Sequence, residues 1–315
     1  MTIADLRQIG NSEICVNGLN SQAADGEGTL SILLLRSTFL AWFLVAASSL
    51  PICAGPRSDV FTPVASINLC TDQLLLAIAD RERIIGVSML ATDSRISFLA
   101  SKARGLPSIR GNAEELLNIK AKLVLAGAYD RRLTRRILRR RNIDFLTINT
   151  WQTLADGYRQ IRFAASRLGY PERGERIITA IGESLQGLLS MARSRKTQTT
   201  FAVIQRRGYV LRSGVVVELL EAAGLRNVSR RLSTGASGVA SLEEIVRSRP
   251  DLLVVEQTAD HTEDQGTAKL AHPALIRLYP PGRRLVIPPR LAICAGPSTV
   301  HLIRYIGRAL RNLTL

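Results

Sequence analysis

The feature of this sequence that most constrains its fold is a helix–turn–strand unit that occurs twice. The segments Ala113–Leu125 and Leu242–Val254 align without a gap, and each has two glutamates near its start and an apolar run at its end. A short apolar run that follows an amphipathic stretch is typical of a parallel strand covered by helices on both faces. A shorter pair of segments, 75–80 and 219–224, repeats in the same order. The repeat predicts two similar α/β units, and the alternative is a coincidence between generic helix–strand pairs.

A long amphipathic segment separates the two units. Its apolar residues recur at helical spacing, and they are Ile177, Ile178, Ile181, Leu185, Leu188 and Leu189. We therefore expect an α/β fold of two Rossmann-like lobes with central parallel sheets, joined by a single long α-helix. The expected boundaries are an N-terminal extension and signal peptide at 1–54, a first lobe at 55–171, a connecting helix at 172–196 and a second lobe at 197–315.

The first 54 residues differ in kind from the rest of the chain. Arg36 precedes the apolar run Ser37–Leu50, and small residues follow up to Ala54. A basic residue, a short apolar run and a small-residue exit are typical of a secretory signal peptide. We expect cleavage after Ala54 and a periplasmic protein. The alternatives are a retained membrane anchor and lipidation at Cys53, although the bulky Ile52 stands where a small residue usually precedes a lipidated cysteine.

The formal net charge is +16, so the surface carries a positive field. Such a field attracts nucleic acid, anionic lipid or anionic small molecules, and export excludes nucleic acid as a partner. The densest basic cluster begins just before a predicted helix, Leu133–Arg141, and continues along it; it comprises Arg131, Arg132, Arg135, Arg136, Arg139, Arg140 and Arg141. It is interpreted as a solvated face, with contact to lipid headgroups or steering of an anionic ligand as alternatives.

The cysteines and histidines do not predict a resident metal or cofactor. The four cysteines form no C-x-x-C pair, and the chain has only three histidines. Beyond the expected cleavage site, Cys70 and Cys294 make an even pair in an oxidising compartment. Three roles stay open for this pair: buried small apolar residues, a disulfide between the lobes, or ligands of a bound metal centre.

Several segments resemble a known family. Ser66–Asp80 and Arg83–Ser88 look like the opening of periplasmic binding proteins for iron-siderophores and vitamin B12, and Gly111–Ala126 is similar to that family's next segment. The family usually has Lys-Pro-Asp before the buried strand, where this chain has Lys120-Ala-Lys122. The second lobe has a closer version, Arg249-Pro-Asp251, and the resemblance runs from about residue 64 to residue 310.

This resemblance implies two helix-linked lobes with a ligand cleft between them. The implied function is to bind a ferric-siderophore, haem or cobalamin-like ligand and deliver it to an ABC transporter permease dimer with its ATPase. We expect a monomer that is not an enzyme and that has no cofactor of its own. A connecting helix must break its hydrogen-bond ladder to kink, so we also expect no large hinge closure.

Ligands of open α/β lobes bind beyond the carboxyl ends of the strands. The residues expected there are Asn68, Cys70, Thr71 and Tyr129 of the first lobe, and Arg206, Tyr209, Arg212, Ser213, Cys294 and Pro297 of the second. The tyrosines offer stacking surfaces. The arginines offer charge-assisted pairs to carboxylate, phosphate or catecholate oxygens.

Glu114 and Glu243 occupy equivalent positions in the two units. In the family that this chain resembles, one glutamate on each lobe pairs with arginines of the permease, and these two match those positions. The adjacent Glu115 and Glu244 leave the assignment open by one residue. The alternative role is stabilisation of a helix N-terminus by a negative charge.

The competing hypothesis is a periplasmic thiol- or metal-dependent enzyme on the same scaffold. A nucleophilic site would use Cys70 with His301 and Asp72. Nothing in the sequence brings these groups together, and Asp72 is expected to cap the helix that follows it.

Overall fold

The computed structural model describes residues 62–130, 132–195, 197–232, 234, 237–256 and 268–313. The predicted signal peptide at 1–54 lies outside the described residues, as do Cys15, Cys53, Arg131 and His261. Among the helices that the structure describes, none is both long enough and apolar enough to cross a bilayer.

The first lobe is built on a five-stranded parallel sheet with the strand order β3-β2-β1-β4-β5. Its strands are β1 (Val64–Ser66), β2 (Ile84–Ser88), β3 (Ser108–Ile109), β4 (Leu123–Gly127) and β5 (Asp144–Ile148). Its helices are α1 (Leu69–Ile78), α2 (Ala100–Ala103), α3 (Ala113–Asn118), α4 (Arg132–Arg139) and α5 (Leu154–Leu168). Helices cover both faces of the sheet, which explains why β4 is apolar at every position up to its final glycine.

The second lobe has a sheet with the order β10-β9-β6-β7, and β8 also pairs with β6. Its strands are β6 (Thr200–Ile204), β7 (Val210–Leu211), β8 (Arg226–Asn227), β9 (Leu252–Glu256) and β10 (Arg284–Ile287). The pairings are parallel except for β7, which runs back along β6. The helices are α7 (Val215–Ala222), α8 (Leu242–Ser248), α9 (Pro273–Leu278), α10 (Pro289–Ala292) and α11 (Thr299–Asn312).

One 24-residue helix, α6 (Pro171–Ser194), connects the two sheets. The left-handed Gly169 ends α5, and Pro171 begins α6, because proline fits the first helical position without losing a hydrogen bond. The buried face of α6 includes Ile178, Ile181, Leu185 and Leu188, which pack in the main hydrophobic core. The predicted two-lobed α/β fold with a long helix is confirmed, and the helix begins one residue earlier than expected.

The internal repeat has the same local geometry in both lobes. Helices α3 and α8 are capped by Asn112 and Ser241, whose side chains accept the backbone N–H three residues on. The turns into β4 and β9 each contain a residue with positive φ, Lys120 at 56° and Arg249 at 40°. Matching caps and matching turns favour a true structural repeat over a coincidence.

The start of α1 differs from the expectation. The Oδ1 atom of Asn68 accepts the N–H of Cys70 at 2.9 Å, so the helix begins at Leu69 and the strand ends at Ser66. Asp72 is therefore inside the helix and does not cap it. Its buried carboxylate accepts the N–H of Ser88 at 3.1 Å and the hydroxyl of Ser88 at 2.5 Å.

Candidate functional site

A cleft of about 350 Å³ lies between the two lobes. On the first lobe it is bordered by the segments after β1 and β4, the neighbouring strands at which the strand order reverses. Such a reversal leaves a crevice beyond the carboxyl ends of the strands, because the connections leave in opposite directions. The second lobe contributes the ends of β6, β9 and β10.

The lining of the cleft is mostly apolar where it is buried and mostly polar where it is exposed. Its buried members include Trp151, Val203, Val254, Ile287 and Leu302. Its exposed members include Asn149, Thr150, Gln152 and Ser213. The charged lining residues that the structure describes are both acidic, Asp130 and Glu256, with no lysine or arginine among them. Such a lining suits a ligand with an apolar body and polar edges.

Tyr129 is presented to the cleft by a tight turn after β4. The backbone N–H of Asp130 donates to the Gly127 carbonyl at 3.2 Å, and its carboxylate accepts the Gly127 N–H at 2.6 Å. Arg135 of α4 donates a further hydrogen bond to the Gly127 carbonyl. Hydrogen bonds with Asp130 and Arg135 thus fix the turn, and Tyr129 is 83% exposed.

A disulfide between Cys70 and Cys294 crosses the cleft. Cys70 lies in the first turn of α1, and Cys294 follows α10 in the other lobe, with their Cα atoms 5.0 Å apart. Of the three roles left open by the sequence, the structure selects the disulfide. Because the two sulfurs are bonded to each other, neither is free to ligate a metal.

Two further contacts join the lobes. The backbone N–H of Leu154, at the start of α5, donates to the carboxylate of Glu218 on α7 at 2.7 Å. The ring of Phe98 packs on the ring of His301, with their centroids 4.7 Å apart. Together with α6 and the disulfide, these contacts support the expectation that the lobes move little.

Glu256 is a charged cleft residue that the sequence analysis missed. Gln205 donates to its carboxylate at 3.0 Å. Burial raises the pKa of Glu256, and this outweighs the hydrogen bond and the Arg206 charge, which lower it. Glu256 is the last residue of the buried strand β9, so the rule used for the other candidates would have found it.

Six of the predicted ligand residues line the cleft: Asn68, Cys70, Thr71, Tyr129, Ser213 and Cys294. Arg206, Tyr209, Arg212 and Pro297 do not line it. The first two lie in a hairpin between β6 and β7, which is closed by the Gln205 N–H donating to the Tyr209 carbonyl at 2.7 Å. Arg212 instead donates to the Leu232 carbonyl at 3.0 Å and to the Thr234 hydroxyl at 2.6 Å. The hairpin therefore keeps Arg206 out of the lining, and these hydrogen bonds keep Arg212 out of it.

The three members of the hypothetical thiol site are each engaged elsewhere. Cys70 is in the disulfide, Asp72 is bound to Ser88, and His301 packs on Phe98. The structure gives no nucleophilic thiol at this position.

The two candidate docking glutamates are exposed, whereas the glutamate that follows each of them is engaged in hydrogen bonds. Glu114 and Glu243 each take the second position of their helix. The carboxylate of Glu115 accepts the N–H groups of Arg110 and Gly111, at 2.8 and 2.9 Å, and that of Glu244 accepts a hydrogen bond from the Arg247 side chain. Of each pair, the first glutamate is thus the more exposed carboxylate. A hydrogen bond from its own backbone N–H and one from the Ser241 hydroxyl lower the pKa of Glu243.

Comparison with solved structures shows the same fold in other proteins, among them two periplasmic heme-binding proteins. The periplasmic heme-binding protein RhuT from Roseiflexus sp. RS-1 is 20% identical, with a TM-score of 0.58 over 79% of this chain and 98% of that one. The periplasmic heme-binding protein HutB of Vibrio cholerae is 15% identical, with a TM-score of 0.61 over 79% and 99%. Unliganded FhuD2 from Staphylococcus aureus is 13% identical, with a TM-score of 0.63 over 80% and 100%.

Comparison by sequence assigns the family. Among curated proteins, no sequence matches this chain significantly. The sequence profile of the family described as "Periplasmic binding protein" matches residues 64–275, which include both sheets up to β9 and the connecting helix. With its helix-linked lobes and the cleft between them, the chain belongs to the periplasmic binding protein family.

Proposed function

We propose that this protein is the solute-binding component of an ABC import system and that it binds a metal chelate in the cleft between its lobes. The observation that carries the proposal is the cleft itself, to which both lobes contribute apolar walls. Its volume of about 350 Å³ falls in the range of small-molecule sites. Periplasmic binding proteins generally deliver their ligand to an ABC permease, and delivery is the role proposed here.

Among ferric siderophores, haem and cobalamin-like molecules, we favour haem. A catecholate siderophore carries negative charge near its metal and calls for charge-assisted partners inside the site, but the described lining has none. A porphyrin instead buries a flat apolar ring and can leave its carboxylates at the cleft edge. Arg206 lies close enough to Glu256 for its charge to lower the pKa of that carboxyl, and this proximity supports the proposal that Arg206 meets such an edge. The heme-binding titles of RhuT and HutB agree with this choice.

Tyr129 is the proposed contact to the metal or to the ring. A tyrosine phenolate can hold haem iron, and a phenol ring can also stack on a flat ligand. The turn held by Asp130 and Arg135 would supply a fixed position for either role.

We further propose export, with processing after Ala54, and docking through Glu114 and Glu243. The periplasmic location of the family supports export. The exposure of the two equivalent glutamates supports docking, since acidic groups on a basic protein would fix its orientation against a basic partner. The thiol-enzyme alternative is not favoured, because the Cys70 sulfur is bonded to Cys294.

The test is a titration with haemin, ferric enterobactin, ferrichrome and cobinamide, followed by absorbance and intrinsic fluorescence. We expect saturation by one equivalent of haemin, with a shift of its absorbance that Tyr129→Phe abolishes if the phenolate binds iron. If Tyr129→Phe keeps that spectrum while Tyr129→Ala loses affinity, the ring stacks. Binding of a siderophore but not haemin would overturn the choice of ligand, and binding of none would overturn the proposed function.

A further inference from the structure

Helix α4 presents an apolar pair to solvent. Its inward side is occupied by the fully buried Leu138 and by Arg135, which reaches the Gly127 carbonyl and lies 5.7 Å from the Phe145 ring centroid. Residues 133 and 137 are four apart and therefore neighbours on one helix face, away from Leu138. Leu133 is 68% exposed and Ile137 is 41% exposed. A solvated helix face has no need of two adjacent apolar side chains there.

Basic residues surround this pair. Arg132, Arg136 and Arg139 lie on the exposed side of α4, and Arg140 and Arg141 follow directly. No acidic residue occurs between 132 and 143. None of these five arginines has a carboxylate within ion-pair distance among the residues that the structure describes. Like charges three and four residues apart destabilise a helix, and the helix dipole offsets this only in part, through Arg136 and Arg139 in the last turn.

We infer that this outward face of α4 binds an anionic membrane surface. A short helix face with an apolar pair bordered by arginines matches the chemistry of a headgroup layer: the arginines meet lipid phosphates and the aliphatic side chains enter the boundary with the acyl chains. A nucleic acid would satisfy the arginines but would leave Leu133 and Ile137 without a partner. The apolar pair is what selects lipid over other polyanions.

The position of α4 gives this contact a consequence. Helices α3 and α4 pack on the same part of the first lobe, where Leu116 and Leu138 share one hydrophobic cluster. Each helix follows a strand end on the cleft side of the sheet, and α3 begins with Glu114 at its second position. Lipid contact through α4 therefore lays the part of the first lobe that carries α3 and α4 against the bilayer. The lipid contact does not depend on the proposed function.

The experiment is co-sedimentation of the full chain with vesicles of phosphatidylcholine, alone or mixed with phosphatidylglycerol. Three double variants are compared: Leu133→Gln with Ile137→Gln, Arg132→Gln with Arg136→Gln, and Arg277→Gln with Arg290→Gln. The last pair is the control, because it removes the same charge from exposed positions of the second lobe. All variants share residues 1–131, so any membrane affinity of the N-terminal segment is common to them.

We expect wild type to bind the anionic vesicles better than the neutral ones. Removing two surface arginines from α4 should weaken this binding about thirtyfold, and the control should weaken it far less. The Leu133/Ile137 variant should bind vesicles more weakly than wild type does. Its affinity for a DNA duplex should equal that of wild type, because its arginines are unchanged. The inference would be overturned if the Leu133/Ile137 variant bound vesicles as wild type does. It would also be overturned if the α4 arginine variant and the control arginine variant lost the same amount of vesicle affinity. Haemin titration of the same variants should be normal, so failure of the lipid contact is distinguishable from failure of ligand binding.

Discussion

Cys70 and Cys294 are separated by 224 residues of sequence, yet their sulfurs are bonded across the mouth of the candidate ligand cleft. One cysteine begins the helix after the first strand of the first lobe, and the other follows a short helix of the second lobe. The lobes are thereby linked covalently at the cleft as well as through α6. This second link limits how far the cleft can open.

Removing the disulfide should destabilise the protein. Cys70→Ser with Cys294→Ser frees a long loop in the unfolded chain, and we expect the free energy of unfolding to fall by about 2–4 kcal/mol. Urea denaturation of wild type and of the double variant measures this. A reductant should lower the urea concentration at the unfolding midpoint of wild type and leave that of the variant unchanged. Equal midpoints for wild type and variant without reductant would contradict a disulfide in the native protein.

The lobes should close little on binding ligand. The helix α6, the disulfide and the Leu154–Glu218 hydrogen bond all oppose a change in their relative position. Small-angle scattering with and without haemin should give nearly the same radius of gyration for wild type. A decrease of several ångströms in the radius of gyration of the disulfide-bonded protein would show that these links do not fix the relative position of the lobes.

Tyr129→Ala should weaken haemin binding about ten- to a hundredfold, since an aromatic or metal contact contributes about 1–3 kcal/mol. Tyr209→Ala is the matched control, because Tyr209 is also exposed but does not line the cleft. Isothermal titration of both variants measures the difference. Equal affinities in the two variants would place the ligand elsewhere.

Asp72 should make stability depend on pH. Burial raises its pKa from 3.8 to about 6, so the folded protein binds this proton more tightly than the unfolded chain does. Protonated Asp72 therefore stabilises the folded protein fully below about pH 4, and this stabilisation is lost as the pH rises to about 6. The free energy of unfolding falls by up to about 3 kcal/mol over this range. Asp72→Asn lacks this pH dependence. The free energy of unfolding of the variant minus that of wild type should therefore rise between these pH values and level off above them. A constant difference between the two proteins would contradict the raised pKa.

Glu114→Ala with Glu243→Ala should keep ligand affinity and lose transport. The two carboxylates are exposed at equivalent positions of the two lobes, and they are proposed to pair with arginines of the permease. Uptake into vesicles with the reconstituted transporter measures the effect. Glu82→Ala with Glu221→Ala removes two other exposed carboxylates, one on each lobe, and should transport normally. Full transport by the first variant would leave only a helix-stabilising role for Glu114 and Glu243.

The sequence predicted the parts of this molecule that depend on local pattern. The repeat of α3–β4 and α8–β9, and the long helix α6, follow from apolar periodicity and turn residues near each other in the chain. The carboxyl-end rule also placed Asn68, Thr71 and Tyr129 at the cleft.

The parts that depend on the packing of distant segments were left open or missed. Whether Cys70 bonds to Cys294 depends on how two lobes meet, which no local pattern encodes. Arg206 was placed in the cleft because the tight β6–β7 hairpin was not recognised, although Gly208 with its φ of 83° marks that turn. Arg212 was placed there because its hydrogen bonds to the distant Leu232 and Thr234 have no local pattern. Trp151 was missed although it lies three residues beyond the carboxyl end of β5, in a segment to which the same rule applies.

The most direct test of the central claim is the identity of the ligand that the protein carries from its own cell. Protein purified without denaturation from the periplasm is extracted, and the extract is analysed by mass spectrometry and for iron and cobalt. We predict about one equivalent of a metal chelate per chain, retained in Tyr209→Ala and lost or strongly reduced in Tyr129→Ala. A metal-free ligand such as an amino acid, sugar or peptide, bound at one equivalent and unaffected by Tyr129→Ala, would contradict the account.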